Sequence, residues 1–202
     1  MMVDYSLIIV LTAFLGGYVM GSIPFGLVLC RLAGHGDIRE IGSGNIGATN
    51  VLRTGNKPLA LLTLLLDIGK GAIAVLICEH FYPGLGLFAG GGAFLGHLYS
   101  VFLKFTGGKG VATFLGLMLA LNPFVGISCI AAWLISTAIF RISSLSALVA
   151  AILSPVFSFY FSEINLVILA SILCILILFK HKENIGRLMN GSEPKIGKKT
   201  KQ

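Results

Sequence analysis

The sequence predicts an all-α integral membrane protein, a polytopic bundle of membrane-spanning helices that forms a single domain over residues 1–202. Of the 202 residues, 56% are hydrophobic and only 11% are charged, whereas soluble domains carry about 25% charged residues. Several apolar stretches also reach the roughly 20 residues that a spanning helix needs. Because a chain this apolar cannot cover itself with polar surface, the soluble fold classes are excluded.

Continuous apolar sequence predicts four spans, at residues 5–30, 58–79, 84–104 and 164–180. The first lacks the basic start of a signal peptide, so we expect it to be a retained spanning helix. Residues 111–140 are interrupted by Asn122-Pro123, which fits two short helices joined by a turn. Residues 145–180 break at SFYFSEIN and give another pair. Seven spans are therefore expected, and a five-span arrangement, with single crossings over these two stretches, stays open.

The charges predict the orientation of the spans. With seven spans and the N-terminus outside, all 15 lysines and arginines lie on or near one side, and only Lys70 is drawn into a span. The other side shows Asp4, Glu79 and Glu163 and no positive charge. Because positive residues in short loops mark the cytoplasmic side, we expect a cytoplasmic C-terminus. The five-span arrangement keeps the same cytoplasmic side.

The glycine spacing predicts how the helices pack, and the cysteine spacing does not indicate a metal site. Glycines recur four residues apart at positions 17/21, 86/90 and 92/96, a spacing that lets helix backbones approach closely. Packing within the chain is the favoured use, and a dimer seam is the alternative. The four cysteines lie in or at the edge of apolar stretches without metal-ligand spacing, so we expect no metal: Cys30, Cys78, Cys129 and Cys174.

Three polar segments share the predicted cytoplasmic face. The first polar segment comprises GSIPFG (21–26) and DIREIGSGNIGATNVLRTGNK (37–57). The second polar segment is GGKGVAT (107–113), and the third polar segment is KHKENIGRLMNGSEPK (180–195). Outside these segments the spans carry almost no ionisable group, so any polar chemistry is expected here.

The first polar segment has the composition of an anion site. Ser43, Asn45, Thr49 and Asn50 fall within eight residues and are interleaved with glycines. Glycines let backbone N–H groups turn inward around an anion, and Arg53 adds a two-pronged donor that matches phosphate oxygens. A flexible connector is the alternative, but a connector has no need of the arginine.

The second polar segment places Lys109 among Gly107, Gly108 and Gly110. It is not the nucleotide-binding P-loop, which requires a glycine separated by four residues from its Gly-Lys pair and Ser or Thr after the lysine. A lysine at a span end can be a simple interfacial anchor, but Lys104 already fills that role. We therefore expect a phosphate-binding loop whose following helix, 111–121, directs its first N–H groups toward the anion.

Other ionisable residues have weaker indications of function. His181 and Asn184 share one face of a helix and are predicted to orient a substrate, with an interfacial histidine as the alternative. Asp67 and Lys70 are three apart within a span, where a lone charge costs roughly 2.5–3.5 kcal/mol, so a mutual, supporting pair is expected. His97 is predicted to be a hydrogen-bonded helix contact.

Together the three segments resemble the bacterial acyl-phosphate:glycerol-3-phosphate acyltransferases, the PlsY family. The residues that carry the resemblance are GSIPFG with GSGNIGATNVLRTGNK, then GGKGVAT, then HKENIGRLMNGSEPK. Their order and spacing agree over essentially the whole chain. The resemblance implies an enzyme of phospholipid synthesis that moves a fatty acyl group from acyl phosphate to the 1-hydroxyl of sn-glycerol 3-phosphate. The products would be lysophosphatidate and inorganic phosphate.

The resemblance also implies roles for individual residues. Catalytic roles are expected for Ser43, Lys109, His181 and Asn184, and substrate binding for Asn45, Arg53, Gly107, Gly108 and Gly110. We expect no cofactor, because acyl phosphate is an already activated anhydride. Acyl-CoA is not expected as the donor, since no histidine is followed by aspartate five residues later, as in other glycerol phosphate acyltransferases.

The expected setting is the bacterial inner membrane, with the site at its cytoplasmic face. Partners would be the two substrates and membrane lipids, the latter also through the polybasic tail GKKTKQ (197–202). No nucleic acid is expected, and the chain would act as a monomer. The main alternative is a transporter or flippase for a phosphorylated anion, although transporter sites lie near the midplane. A non-catalytic membrane scaffold is a third possibility.

Overall fold

A computed structural model describes residues 5–196, and their regular secondary structure is entirely helical. Asp4 and the polybasic tail 197–202 lie outside the described residues. The chain divides into two compact units, Met1–Leu121 and Asn122–Gln202, and the single domain over residues 1–202 stays a prediction. The first unit contains six α-helices: α1 Leu7–Ser22, α2 Phe25–Leu32, α3 Ala48–Val51, α4 Lys57–Phe81, α5 Gly86–Leu98 and α6 Val111–Leu121. Short 3₁₀ turns cover Ile38–Glu40, Leu52–Thr54 and Val101–Leu103.

Glycines join α1 to α5 within the first unit. A Cβ at Gly17 or Gly21 would collide with the backbone of α5, and a Cβ at Gly92 or Gly96 would collide with the backbone of α1. The Tyr18 hydroxyl adds a hydrogen bond of 2.6 Å to the Tyr99 carbonyl. The predicted packing within the chain is therefore confirmed for these two glycine pairs.

The span predicted over residues 5–30 is confirmed by the apolar stretch Leu7–Leu32, but its helix is interrupted toward the end of that stretch. α1 ends at Ser22 and α2 begins at Phe25, with Pro24 between them. Proline has no N–H to continue a helix, and it forces the residue before it into extended backbone. Ile23 accordingly has ψ of 116°. The sequence GSIPFG thus interrupts the helix within the span.

The second unit contains α7 Pro123–Phe140, α8 Ser143–Phe161, α9 Ile164–Lys180 and α10 Lys182–Met189. The predicted break at Asn122-Pro123 is confirmed: the Asn122 side chain accepts from the N–H groups of Phe124 and Val125 at 3.0 and 3.2 Å. An asparagine cap followed by proline is a strong helix start. The break within SFYFSEIN is also confirmed, since α8 ends before Ser162 and α9 follows Glu163.

The helices make this chain a multi-pass membrane protein. Among the described residues, five helical stretches are long and apolar enough to span a bilayer, or six if α9 and α10 count together across their 64° bend. The structure therefore does not establish the number seven. One reason for the lower number of spans is α6. Its 11 residues extend about 16 Å, roughly half the thickness of a hydrocarbon core. All four cysteines are buried free thiols.

Candidate active site

The first polar segment folds around the side chain of Asn50. This amide is 1% exposed, and its Nδ2 donates to the carbonyls of Ile38 and Ile41, each at 2.9 Å. Its Oδ1 accepts from the Ser43 N–H at 3.1 Å and from the Ser43 hydroxyl at 3.3 Å. One buried side chain thus closes the loop 38–43, with both its donors and its acceptor used.

Arg53 and Ser43 meet at this organised loop. Gly42 has φ of 58°, and a Cβ there would come within 2.5 Å of Arg53 Nη1 and 2.7 Å of Asn50 Oδ1. The exposed Ser43 hydroxyl approaches the same Oδ1. The structure therefore brings two predicted site residues together, and Gly42 provides the space that lets the guanidinium lie against the loop. Asn45 is half-buried in the same segment.

The arginines near this loop differ in their partners. Arg31 and Arg39 both bind Asp37, with Arg39 Nε donating to Oδ1 at 2.8 Å and Arg31 Nη2 donating to Oδ2 at 2.8 Å. Hydrogen bonds from Arg39, followed by those from Arg31, hold the pKa of Asp37 well below its usual range. Arg53 forms no salt bridge within residues 5–196. Its exposed guanidinium is therefore available to an anionic ligand.

The second polar segment lies across the C-terminal end of α5. Two consecutive non-glycine residues, Lys104 and Phe105, adopt left-handed backbone with φ of 50° and 63°, a conformation that such residues rarely adopt. This reversal returns the chain to α5, where the Gly107 N–H donates to the Leu98 carbonyl at 3.2 Å and the Gly108 N–H donates to the His97 carbonyl at 2.9 Å. The loop is therefore fixed by backbone hydrogen bonds.

Each glycine of this loop allows a close approach. A Cβ on Gly107 would overlap the His97 carbonyl oxygen, and one on Gly108 would overlap the His97 ring at Nε2. Gly110 has φ of 81°, and its Cβ would crowd Phe94 at 2.5 Å. Because the N–H groups of Gly107 and Gly108 are already bonded to α5, the predicted substrate contacts of these glycines stay predictions. Lys109 between them is half-buried.

The start of α6 follows this loop directly. α6 begins at Val111, and the Phe114 N–H donates to the Gly110 carbonyl at 2.8 Å. The first N–H groups of a helix have no partner within the helix, and with the helix dipole they favour an anion. The predicted arrangement, in which a helix N-terminus follows Lys109, is therefore confirmed.

A buried ionic cluster lies beneath the loop. Lys70 Nζ is 2.7 Å from Asp67 Oδ1, which confirms the predicted pair. The same Nζ donates to the Ile23 carbonyl at the helix break, at 2.9 Å, and this carbonyl also accepts from the Phe25 N–H at 3.1 Å. His97 Nδ1 lies 3.7 Å from Asp67 Oδ1. The cluster thus contacts both the helix break and, through His97, the glycine loop.

The third polar segment, in the second unit, is organised by Glu193. Its Oε1 accepts from the Ser144 hydroxyl and from Asn184 Nδ2, each at 2.6 Å, and its Oε2 accepts from Arg187 Nε at 2.7 Å. Burial would raise the pKa of Glu193, but these three hydrogen bonds outweigh it and hold the pKa below its usual value. Asn184 is therefore held by a carboxylate.

His181 lies at the bend between α9 and α10. It is buried, and its Nδ1 is 2.8 Å from the Ile177 carbonyl. Asn184 is also buried, one turn later. The structure thus places both predicted residues at the start of α10, where the bend of 64° turns the chain out of α9. Their substrate contacts stay predictions.

Comparison with known proteins identifies the family. The model of the family described as glycerol-3-phosphate acyltransferase matches residues 11–191. The chain belongs to this family. It is 58% identical over 194 residues to a glycerol-3-phosphate acyltransferase of Paramagnetospirillum magneticum, covering 94% of both chains. A glycerol-3-phosphate acyltransferase of Maricaulis maris is 56% identical over 195 residues, covering 96% of this chain and 90% of that protein.

Two solved structures of the family have the same fold. One is PlsY, an integral membrane glycerol 3-phosphate acyltransferase, in its glycerol 3-phosphate form. It superposes with a TM-score of 0.87 at 38% identity, over 93% of this chain and 96% of that chain. The lysophosphatidic acid form gives a TM-score of 0.85 at 37% identity, over 93% and 95% of the two chains. The family predicted from the three polar segments is therefore confirmed.

Sequence reasoning missed three residues that organise the candidate site. Asn50 was grouped with other polar residues, and nothing in its spacing distinguishes an organising amide from an exposed one. Glu193 is a carboxylate in a segment rich in lysine and arginine, and that contrast was an available signal. His97 was expected only to contact a helix, and its approach to Gly108 depends on a chain reversal that residue types do not reveal.

Proposed function

We propose that this chain transfers a fatty acyl group from an acyl phosphate to the 1-hydroxyl of sn-glycerol 3-phosphate in phospholipid synthesis. The observation that carries the proposal is membership of the glycerol-3-phosphate acyltransferase family over residues 11–191. The solved relatives are described in glycerol 3-phosphate and lysophosphatidic acid forms, which correspond to the acceptor and the product. The products here are lysophosphatidate and inorganic phosphate.

The proposed donor is acyl phosphate because the site is built for anions and not for strong base catalysis. An acyl phosphate is a mixed anhydride whose carbonyl is already activated. Holding two mutually repelling anions together, and stabilising the charge that develops, then supplies most of the catalysis. Asp67 and His97 do approach each other at 3.7 Å. However, Gly108 packs over His97 Nε2, which closes that imidazole to a substrate hydroxyl.

The proposed roles follow from the chemistry of each side chain. Arg53 and Lys109 bind the phosphates of the two substrates, and Gly107, Gly108 and Gly110 shape the loop around Lys109. Four residues orient the nucleophile and the anhydride: Ser43, Asn45, His181 and Asn184. Support comes from the exposed Ser43 hydroxyl and the adjacent Arg53, which lacks a carboxylate partner within residues 5–196.

The proposed reaction is assisted by its own substrate. The 1-hydroxyl oxygen attacks the carbonyl carbon, and the bond between that carbon and the phosphate oxygen breaks. A phosphate oxygen of the donor takes the hydroxyl proton, so protonated inorganic phosphate leaves. No protein base is consumed in this step. A pH–rate profile whose basic or acidic limb disappears in His181→Gln would contradict the proposal.

We also propose seven crossings of the bacterial inner membrane, with the N-terminus outside and the site at the cytoplasmic face. The charge distribution supports this topology. The test uses two single-cysteine variants, Glu163→Cys and Lys195→Cys, at positions that are both exposed. Intact cells carrying each variant are treated with a membrane-impermeant maleimide, and labelling is measured. Labelling of position 163 and protection of position 195 is expected. The reverse pattern would contradict the orientation.

The proposed oligomeric state is a monomer. The α1 and α5 glycines that could have formed a dimer seam each pack against the backbone of the other of these two helices within the chain. The expected result is one chain per particle when the protein is weighed in lipid nanodiscs. A stable dimer whose activity is lost on dilution would contradict this.

The acyl tail requires an apolar surface, and we propose that the first unit supplies it. A groove of about 380 Å³ opens between α1, α4 and α5, and it is lined along α1 from Met20 back to Ile9. Met20 lies just before the helix break at Ile23-Pro24. Gly16 on this groove has open space around it, so Gly16→Phe fills the groove without displacing backbone. This variant should raise KM for palmitoyl phosphate more than for a short-chain acyl phosphate.

The experiment for the central proposal follows both products of the purified protein. Palmitoyl phosphate and glycerol 3-phosphate are supplied, and phosphate and lysophosphatidate are measured together, with palmitoyl-CoA as the donor control. We expect equal amounts of both products and none with palmitoyl-CoA. Lys109→Gln should lower kcat/KM about 100-fold or more. The matched variant Lys104→Gln, at an exposed lysine of the same loop, should stay within about threefold.

Other results of this experiment would contradict the proposal. Phosphate without lysophosphatidate would mean hydrolysis, and turnover of palmitoyl-CoA would refute the donor. Uptake of labelled glycerol 3-phosphate into proteoliposomes without a donor, together with no acyl transfer, would favour a transporter.

A further inference from the structure

We propose that Asp67, Lys70 and His97 form a buried ionic strut that positions the second polar segment for the phosphate of glycerol 3-phosphate. These are positioning residues: none of them touches substrate in this proposal. The inference rests on the proposed function, because it concerns the affinity of the same reaction for its acceptor. It assigns a role to a membrane-embedded cluster that the mechanism above does not otherwise use.

The first end of the strut is the helix break. Lys70 is only 3% exposed and Asp67 only 2%, and their charged atoms are 2.7 Å apart. An ion pair that only neutralised two charges would need no further contact. Lys70 Nζ also donates to the Ile23 carbonyl at 2.9 Å, so the ammonium holds the backbone at the residue between α1 and Pro24. The strut therefore fixes where α1 stops and α2 begins.

The second end of the strut is the glycine loop. His97 is 4% exposed, and its Nδ1 faces Asp67 Oδ1 at 3.7 Å. The opposite side of the ring, at Nε2, is covered so closely by Gly108 that a Cβ there would overlap it. The Gly108 N–H also donates to the His97 carbonyl at 2.9 Å. The imidazole thus fills the space between a fixed carboxylate and the residue next to Lys109.

This contact makes the ring a determinant of loop position. If the His97 ring moves or shrinks, Gly108 loses its support, and the next residue is Lys109. A displacement of about 1 Å in a positioned group can cost about 100-fold in rate or affinity. A residue that served only to stabilise the fold would lower the melting temperature without this selective effect on the acceptor.

The first test compares two substitutions of His97 by steady-state kinetics in both substrates. His97→Leu fills much of the space but has no polar atom toward Asp67, and it should raise KM for glycerol 3-phosphate about tenfold or more. kcat and KM for palmitoyl phosphate should change less than about threefold. His97→Gln keeps a donor toward Asp67 and should restore most of the affinity. Equal KM values for Leu, Gln and wild type would overturn the proposal.

The second test removes both charges together. Removing only one charge leaves the other buried and unpaired, which destabilises a protein strongly, whereas neutral pairs are often tolerated. Asp67→Asn with Lys70→Met is therefore expected to fold and to show the same rise in KM for glycerol 3-phosphate. A folded double variant with wild-type KM would overturn the strut, even if the His97 variants fail to fold.

The matched control is Glu79→Gln on the same helix, α4. Glu79 accepts from the N–H groups of Gly84 and Gly86 at 2.8 and 2.9 Å, at the opposite end of α5 from the loop. This variant should lower the melting temperature and leave KM unchanged. If it raised KM as the strut variants do, the effect would be general loosening, and the proposal would be refuted.

Failure of the inference is distinguishable from failure of the proposed function. An inactive wild-type protein with palmitoyl phosphate and glycerol 3-phosphate would refute the function itself. An active wild type with kinetically normal, folded strut variants would refute the inference alone.

Discussion

Two polar segments of this chain are organised by single side chains of different chemistry. In the first unit, the neutral amide of Asn50 donates to two carbonyls and accepts from Ser43. In the second unit, the carboxylate of Glu193 accepts from a hydroxyl, an amide and a guanidinium. Both side chains are nearly inaccessible, with Asn50 1% exposed and the Glu193 side chain 7% exposed.

The difference shows what each kind of organiser can hold. An amide has both donors and acceptors, so it can satisfy backbone carbonyls, and its bonds do not change with pH. An ionised carboxylate only accepts, so it gathers side-chain donors, including Asn184, and its bonds are stronger because of the charge. The loop 38–43, which offers backbone carbonyls, is therefore held by an amide. The start of α10, which offers side-chain donors, is held by a carboxylate.

The largest effect is expected for Asn50→Asp. The change preserves size but replaces the two N–H donors with an oxygen that faces the carbonyls of Ile38 and Ile41. A buried, uncompensated charge costs about 3–5 kcal/mol, so the free energy of unfolding should fall by about that amount. Denaturant titration of the detergent-solubilised protein measures it.

The matched control is Asn56→Asp. Asn56 caps α4, where its Oδ1 accepts from the Leu59 N–H at 3.0 Å, and aspartate caps a helix equally well. This variant should keep wild-type stability within about 0.5 kcal/mol. Equal destabilisation of the two variants would mean that Asn50 has no special role in the loop.

A smaller effect is expected for Glu193→Gln. Glutamine can still accept from Ser144 and Asn184, but it loses the ionic bond to Arg187. Hydrogen bonds to charged groups contribute about 1.5–3 kcal/mol, and the free energy of unfolding should fall by about this much or less. Glu183→Gln, at an exposed position in the first turn of α10, is the control and should have a smaller effect. If Glu193→Gln were as stable as wild type, the conclusion that the Glu193 carboxylate organises the third polar segment would be contradicted.

The charge of Glu193 also predicts a dependence on pH that Asn50 cannot give. The pKa of Glu193 is lowered from its usual 4.5 in the folded protein. Its contribution to stability is therefore complete above pH 4.5 and is lost as the pH falls through the folded value. The difference in melting temperature between wild type and Glu193→Gln should shrink on acidification. Taking this difference removes the parallel contribution of Asp37, whose pKa is also lowered. A difference that stays constant down to pH 3 would contradict the prediction.

Helix positions were largely predictable because the bilayer imposes long apolar runs and because proline interrupts them. Asn122-Pro123 and the SFYFSEIN break were recognised in this way. The break at Pro24 was missed although its proline was visible, because the apolar run continues through it. The short α6 was predicted as well, because Asn122-Pro123 ends the helix that was expected over residues 111–121.

The identity of the site segments was predictable, but their internal support was not. Lys109 and its glycines predict a loop that packs closely against another part of the chain, and the structure shows that this part is α5. Asn50, Glu193 and His97 act through contacts with residues far along the chain or through reversals of the backbone, such as Lys104-Phe105. Spacing within one segment cannot reveal a partner in another.

The smallest effect on stability is expected for Ser43→Ala, and this variant separates organising from reacting groups. The Ser43 hydroxyl is 3.3 Å from Asn50 Oδ1, a long bond, whereas the shorter bond from the Ser43 N–H remains in alanine. Stability should therefore change by less than about 0.5 kcal/mol, while kcat/KM falls about 100-fold if the hydroxyl contacts substrate as proposed. Ser100→Ala is the reverse control, because the buried Ser100 hydroxyl donates to the Ser22 carbonyl at 2.5 Å. It should lose about 1 kcal/mol of stability and keep its activity. If both variants lost stability and activity in parallel, Ser43 would have a structural role in the first polar segment and would not be one of the groups that contact substrate.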